Sequence, residues 1–191
     1  NLAWQACLIE LRTLGLGVLM AAKRARFHPV RVWLDSLQWD SVPRLDHWLV
    51  DFLGAADTQY TRRVGRYFLL NMVARVFQPG CIMRSVPVLE GAQNRGKSTA
   101  LRILAQPWFS DTHLNLANKD VYQAIQGIWL YEIAEMESFS RAEAARVKEF
   151  ISSRDDNYRP PYEGRNIHPA RQVVFAGSIN GEGALEVQAT K

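Results

Sequence analysis

The sequence predicts an α/β fold, a three-layer core built on a parallel sheet and preceded by a small helical domain. Three observations predict it. In the second half, near-continuous apolar runs alternate with helical segments, the pattern of parallel strands buried on both faces. Gly91-Ala92-Gln93-Asn94-Arg95-Gly96-Lys97-Ser98 spells G-x-x-x-x-G-K-S between an apolar run and a helical one, so a strand, a tight turn and a helix succeed one another there. Residues 1–80 carry helical spacing throughout. The expected division is a helical region over 1–80 and a nucleotide-binding core over 81–191.

In the helical region, a first helix is predicted over roughly residues 3–26. Phe27-His28-Pro29-Val30 breaks it, and Val32–Leu37 forms a short helical piece. Leu45, Trp48, Leu49 and Phe52 have helical spacing, with Gly54 as the stop. A longer helix runs from about Thr58, with Val64, Phe68, Leu69, Met72, Val73 and Val76 as its apolar face. It also carries Arg62, Arg63, Arg66 and Arg75, and no acid occurs between Asp57 and Glu90. That pattern fits a surface facing DNA or another subunit, and equally a solvated helix face. Pro79-Gly80 ends the helix.

In the core, Val86-Pro87-Val88-Leu89 reads as a buried strand and Ser98–Ala105 as the helix behind the loop. Trp108-Phe109, Ile128–Ile133 and Gln172–Gly177 are the further strand candidates. The loop is the phosphate-binding loop of nucleoside triphosphatases. Backbone N–H groups, added to the positive end of the helix, form a concave site for phosphates. Lys97 extends a point charge toward the γ-phosphate, and the Ser98 hydroxyl is the expected Mg²⁺ ligand. The expected nucleotide contacts are therefore Gly91, Asn94, Arg95, Gly96, Lys97, Ser98 and Thr99, with ATP and Mg²⁺ as cofactors.

An ATPase of this type needs an acid at the tip of a neighbouring strand to hold Mg²⁺ and orient water. Glu132 lies inside the apolar run 128–133 and Glu135 at its exit. Glu135 is assigned to polarising the attacking water and Glu132 to the metal shell, with the reverse left open. Asn180, at the end of the last apolar run, can bridge the γ-phosphate and the attacking water through one donor and one acceptor. A GTPase is excluded: Asn118-Lys119-Asp120 is one residue short of N-K-x-D, and no D-x-x-G stands at the second strand.

Between the last two strands, residues 158–171 alternate arginine, tyrosine and histidine around Glu163-Gly164. This predicts an exposed hairpin whose Arg159, Tyr162, Arg165 and His168 suit backbone charge and base stacking on single-stranded or forked DNA. A proline-stiffened surface loop is the plainer alternative. Arg154 and Arg171 are candidates for an arginine that completes a neighbouring subunit's site.

Composition is consistent with that reading. The 191-residue chain can bury one good core or a core with a small annex. Only five of its 23 basic residues are lysines, and the net charge of +4 is a modest lean toward a polyanionic partner. Two cysteines, Cys7 and Cys81, frame neither a disulfide scaffold nor a four-ligand zinc site and fit a reducing, cytoplasmic setting. The apolar stretch Leu14–Ala22 is too short to cross a bilayer, so no membrane association is expected. The chain starts without methionine and stops just past a strand, as a piece of a longer protein would.

Taken together, these blocks resemble the virulence-associated protein E family of phage- and plasmid-borne primase-helicase ATPases. The matching pieces include Phe27-His28-Pro29-Val30, Gln38-Trp39-Asp40 with Pro43-Arg44-Leu45, Leu89-Glu90-Gly91 through Thr99, and Trp108-Phe109-Ser110-Asp111. Gly127-Ile128-Trp129, Glu132-Ile133-Ala134-Glu135, Arg159-Pro160-Pro161-Tyr162 and Phe175–Asn180 extend the match. The resemblance implies an AAA+-like ATPase related to superfamily 3 helicases. It would act as a ring, usually hexameric, on DNA during replication of mobile elements, with a primase domain in the parent chain. By the family pattern, Glu132 and Glu135 form the acidic strand motif, Asn180 is the polar sensor, and Arg159–Arg171 is the DNA-tracking hairpin. Asn94 stands where the family has glycine, and asparagine tolerates the left-handed backbone expected there. The family's arginine pair falls beyond Lys191, which implies that this stretch alone binds ATP but turns it over weakly.

Overall fold

Nearly unbroken burial along the central strands is what organises the core. The computed structural model describes residues 13–14, 17–18, 20–21, 24, 27–83, 85–116, 118, 120–160, 165–181 and 186–190. They fall in two compact units, Asn1–Leu37 and Gln38–Lys191. In the first, the predicted helix over 3–26 lies largely outside the described residues. One helix, α1 (Pro29–Ser36), is complete. Phe27 and His28 are outside any helix, as the break predicted at residues 27–30 requires, and Pro29 starts the next helix. Its fixed φ and missing N–H suit the first helical turn, and the His28 side chain caps Arg31 N–H.

The second unit opens with α2 (Trp48–Leu53) and α3 (Gln59–Phe77). Gly54 ends α2 at φ +67°, the left-handed stop its sequence position predicts. Thr58 starts α3 by accepting from Thr61 N–H at 3.1 Å. The two helices meet closely at Gly65, where a Cβ would stand 2.7 Å from Trp48 Nε1 and 2.9 Å from Leu49 Cδ1. Phe68, Met72 and Val76 are buried as expected, whereas Val73 is exposed and Val64 and Leu69 are half-buried.

Of the four arginines on α3, Arg62, Arg63 and Arg66 are exposed and Arg75 is not. Arg62 is paired with Asp57 at 2.6 Å and Arg66 with Asp46, so acids outside the helix neutralise both. Arg75 is buried; its Nη1 donates to the Arg171 carbonyl at 3.4 Å, and burial pulls its pKa below that of a free arginine.

The sheet contains β1 (Val86–Gly91), β2 (Phe109–Ser110), β3 (Leu130–Ile133), β4 (Val174–Asn180) and β5 (Glu186–Thr190). Its order is β2-β3-β4-β1-β5. The first four are mutually parallel, as the apolar runs predict, and β5 adds an antiparallel edge beside β1 that no sequence signal announced. Helix α4 (Lys97–Ala105) follows β1, a short α5 (Val121–Ala124) precedes β3, and α6 (Arg141–Ser152) precedes β4. A reciprocal Ser140–Glu143 capping box opens α6.

Both faces of β3 and β4 are covered, so four residues of β3 and the first five of β4 are buried. Alternation puts Tyr131, Ile133, Val173 and Phe175 on one face, packed with Val147 and Phe150 of α6 and with Val121 and Ile125. Leu130, Glu132, Val174 and Ala176 turn to the other face. The Trp129 indole donates to the Met72 carbonyl at 2.9 Å and ties α3 to the sheet.

Candidate functional site

Strand register decides which side chains meet at the carboxyl ends of the parallel strands. Gly91, the last residue of β1, is level with Asn180, the last residue of β4. That pairing brings a residue 89 positions downstream beside the loop. On the other side of β4, Glu132 is level with Ala176. The acidic strand was expected next to the loop strand; instead β4 stands between them. The long glutamate side chain and the loop reach each other across it.

The loop folds back on itself through two left-handed residues, Asn94 at φ +63° and Gly96 at φ +76°. Asparagine is among the few side-chain-bearing residues that adopt this conformation readily. No side chain caps the start of α4, so its first N–H groups are left for another acceptor. Lys97 is buried, and its ammonium donates to the Gly91 carbonyl at 2.6 Å and the Ala92 carbonyl at 2.9 Å. Asn180 Oδ1 lies 3.5 Å from the same nitrogen.

Ser98 Oγ donates to Glu132 Oε1 at 2.7 Å, and Ser178 Oγ donates to the same oxygen at 2.6 Å. Glu132 is 1% exposed, and its other oxygen, Oε2, has no hydrogen-bond partner among the described residues. A buried carboxylate oxygen without a partner is costly unless a cation or water completes it. These residues fit a hard divalent cation: a hydroxyl and a carboxylate are suitable oxygen donors. Among the described residues, no cluster of three or more His, Cys, Asp or Glu side chains offers an all-protein metal cage.

Glu135 is exposed just past β3 and holds φ +53°, a left-handed conformation unusual for glutamate. It lines a cavity of about 280 Å³ together with residues 93–99, Ala134, Ser178 and Asn180. A second cavity of about 230 Å³ shares Ala134 and Glu135 with it and reaches Glu132, Asp111 and His113. Arg95 and Thr99 are exposed on the loop cavity. The structure thus gathers the predicted loop residues, Glu132, Glu135 and Asn180. It also adds Ser178, which sequence reading missed. Its one signal was position: two residues before Asn180, on the face of β4 that Ala176 shares.

Residues 155–160 and 165–170 face each other through antiparallel bridges Asp155–Ala170 and Tyr158–Ile167, as a hairpin's two arms would, and the predicted tip lies outside the described residues. Arg159, Arg165 and His168 are exposed along these arms, and Tyr162 lies outside the described residues. Below the hairpin, the structure corrects one expectation. Arg171 is 0% exposed, so it cannot reach a neighbouring subunit. Its Nε donates to Asp156 Oδ1 at 2.7 Å, its Nη1 donates to the Phe150 carbonyl, and its guanidinium lies 4.5 Å from the Phe150 ring centroid. Arg154 is exposed, and its Nε donates to the Gly80 carbonyl at 3.1 Å.

Fold and geometry together define an α/β protein with a cavity-lining cluster of polar side chains at the carboxyl ends of its parallel strands, where such folds commonly place ligands. Residues 34–190 match the virulence-associated protein E-like domain, and the chain belongs to that family. No curated protein sequence matches the chain closely enough to stand as a relative. No helix among the described residues is long and apolar enough to cross a membrane.

Proposed function

We propose that this protein is a Mg²⁺-dependent ATP hydrolase with the P-loop nucleotide-binding core of an AAA+-like helicase. In this reading it works as a ring on single-stranded or forked DNA, in replication of phage, plasmid or other mobile elements. The observation that carries the reading is the convergence of Lys97, Ser98, Glu135 and Asn180 on one loop cavity, with the buried Glu132 bonded to Ser98 at its edge. A glycine-rich turn with an incidental lysine has no reason to recruit a buried acid and a strand-end amide.

The roles follow from placement. Uncapped N–H groups of α4 and the loop would hold the phosphates, and Lys97 would exchange its two carbonyl partners for phosphate oxygens. Ser98 has one donor and two lone pairs; its proton goes to Glu132, which leaves oxygen lone pairs for a cation. Bound Mg²⁺ would neutralise charge on the β- and γ-phosphates. Buried and bonded to Ser98, Glu132 suits the metal shell, whereas exposed Glu135 on the cavity wall suits orientation of the attacking water. Asn180, beside the lysine, is placed to respond to the γ-phosphate. The exposed Arg159, Arg165 and His168 of the hairpin supply charge and ring surface for DNA. Arg154 is left as the candidate for completing a neighbour's site.

The alternative is an ATP-binding assembly or regulatory module without DNA translocation. The tests separate the two. Lys97→Ala is expected to abolish ATP hydrolysis while the far-ultraviolet circular dichroism stays unchanged; unaltered turnover would overturn the assignment. A motor requires that single-stranded DNA stimulates hydrolysis and that Arg165→Ala weakens DNA binding. A regulatory module shows neither.

A further inference from the structure

We infer that Ser178 is a positioning residue that sets the site's affinity for its divalent cation by holding the carboxylate of Glu132 in place. The inference rests on the reading of this site as a Mg²⁺–nucleotide site.

Two hydroxyl protons converge on one oxygen. Ser98 donates to Glu132 Oε1 at 2.7 Å from the loop side, and Ser178 donates to it at 2.6 Å from β4. Ser178 is itself only 6% exposed. A carboxylate oxygen has two lone-pair sites, so Oε1 is filled, while Oε2 has no protein partner among the described residues. The carboxylate is therefore fixed at one oxygen and offers the other.

Ser98 cannot do the fixing alone. It sits in the first turn of α4, directly after the loop, and its oxygen is the one a cation would take. Ser178 sits on a strand paired on both sides, with β3 and with β1. Its register, diagonal to Glu132 on the same face, is set by the Glu132–Ala176 pairing. The rigid partner is the one on the sheet. Side chains that orient a metal's ligands commonly change metal affinity 10- to 100-fold when removed.

The test is binding rather than turnover. A fluorescent ATP analogue is titrated into the protein at a series of Mg²⁺ concentrations and again in EDTA, for wild type, Ser178→Ala, Ser178→Cys and Ser178→Thr. The expected result for Ser178→Ala is a rise of roughly 10-fold or more in the Mg²⁺ concentration giving half-maximal binding. Affinity in EDTA is expected to be unchanged, and Ser178→Thr, which keeps the hydroxyl, to stay near wild type. Ser178→Cys, a near-isostere with a weak donor, is expected to behave like alanine, and serves if alanine fails to fold. Wild-type binding with unshifted Mg²⁺ dependence in both alanine and cysteine variants overturns the role of Ser178. Equal losses with and without Mg²⁺ overturn it too, since they report a structural role. Absence of nucleotide binding in wild type is a different failure, of the site reading itself.

Discussion

Arg171 offers the sharpest test of how this fold is held together. Its guanidinium is fully buried, paired with Asp156, itself 4% exposed in its side chain. It is also bonded to the Phe150 carbonyl and packed among the rings of Phe150, Phe175 and Tyr122. Its backbone joins three segments: its N–H donates to the Arg154 carbonyl at 2.8 Å, and its own carbonyl accepts from Gly80 N–H at 2.8 Å. Arg171→Ala would leave the Asp156 carboxylate buried with Gln126 Nε2 at 3.0 Å as its remaining side-chain partner. Breaking a buried pair from one side costs about 3–5 kcal/mol. For a chain of this size each kcal/mol is worth about 2–4 °C, so the melting temperature should fall by roughly 6–20 °C. Replacing both members with apolar residues removes the stranded charge, so Arg171→Met with Asp156→Leu should recover most of the loss. Thermal unfolding by circular dichroism measures both. If Arg171→Ala melts within about 1 °C of wild type yet loses ATP turnover, the residue acts on nucleotide and the packing argument is wrong.

Other expectations follow from the same geometry. Glu135→Gln should lower ATP hydrolysis by about 10²–10⁴-fold with nucleotide binding intact, measured by phosphate release alongside analogue titration; lost binding with it would mean that Glu135 serves the metal or the phosphates. Gly65→Ala places a methyl group 2.7 Å from Trp48 Nε1, and overpacking of that kind costs about 1–3 kcal/mol, read from the urea midpoint. The carboxyl of Asp40 is held down to about 2, first by its hydrogen bond from Arg44, and Asp46 and Asp57 are lowered by Arg66 and Arg62. Their folded values lie below the unfolded value of about 3.9, so the stability they contribute is whole above that pH and lost as pH falls toward about 2. The urea midpoint should therefore drop between about pH 4 and pH 2, and less steeply in a variant carrying Asp40→Asn, Asp46→Asn and Asp57→Asn.

Much of the fold was legible because its signals are local. The apolar runs at 86–91, 130–133 and 174–180 are strands because burial on both faces demands unbroken hydrophobicity. Thr58 and Gly54 marked helix ends by chemistry that acts within one turn. Helix α6 carried an equally local mark, Ser140 three residues before Glu143, which the strand pattern overshadowed. Strand β5 was illegible for another reason: its pairing with β1 depends on where the chain turns after Asn180.

The site divides along the same line. By itself the sequence singled out the loop, its lysine and serine, the acids at 132 and 135 and the asparagine at 180, because each is a residue type that the proposed phosphate and metal chemistry would require at a readable place in a strand–turn–helix pattern. Only the tertiary structure decided that β4 separates the acid from the loop, that Ser178 shares Glu132 with Ser98, and that Arg75 and Arg171 are interior rather than surface arginines. Register and burial arise from contacts between residues tens of positions apart. An arginine's letter is the same whether it faces solvent or a buried aspartate.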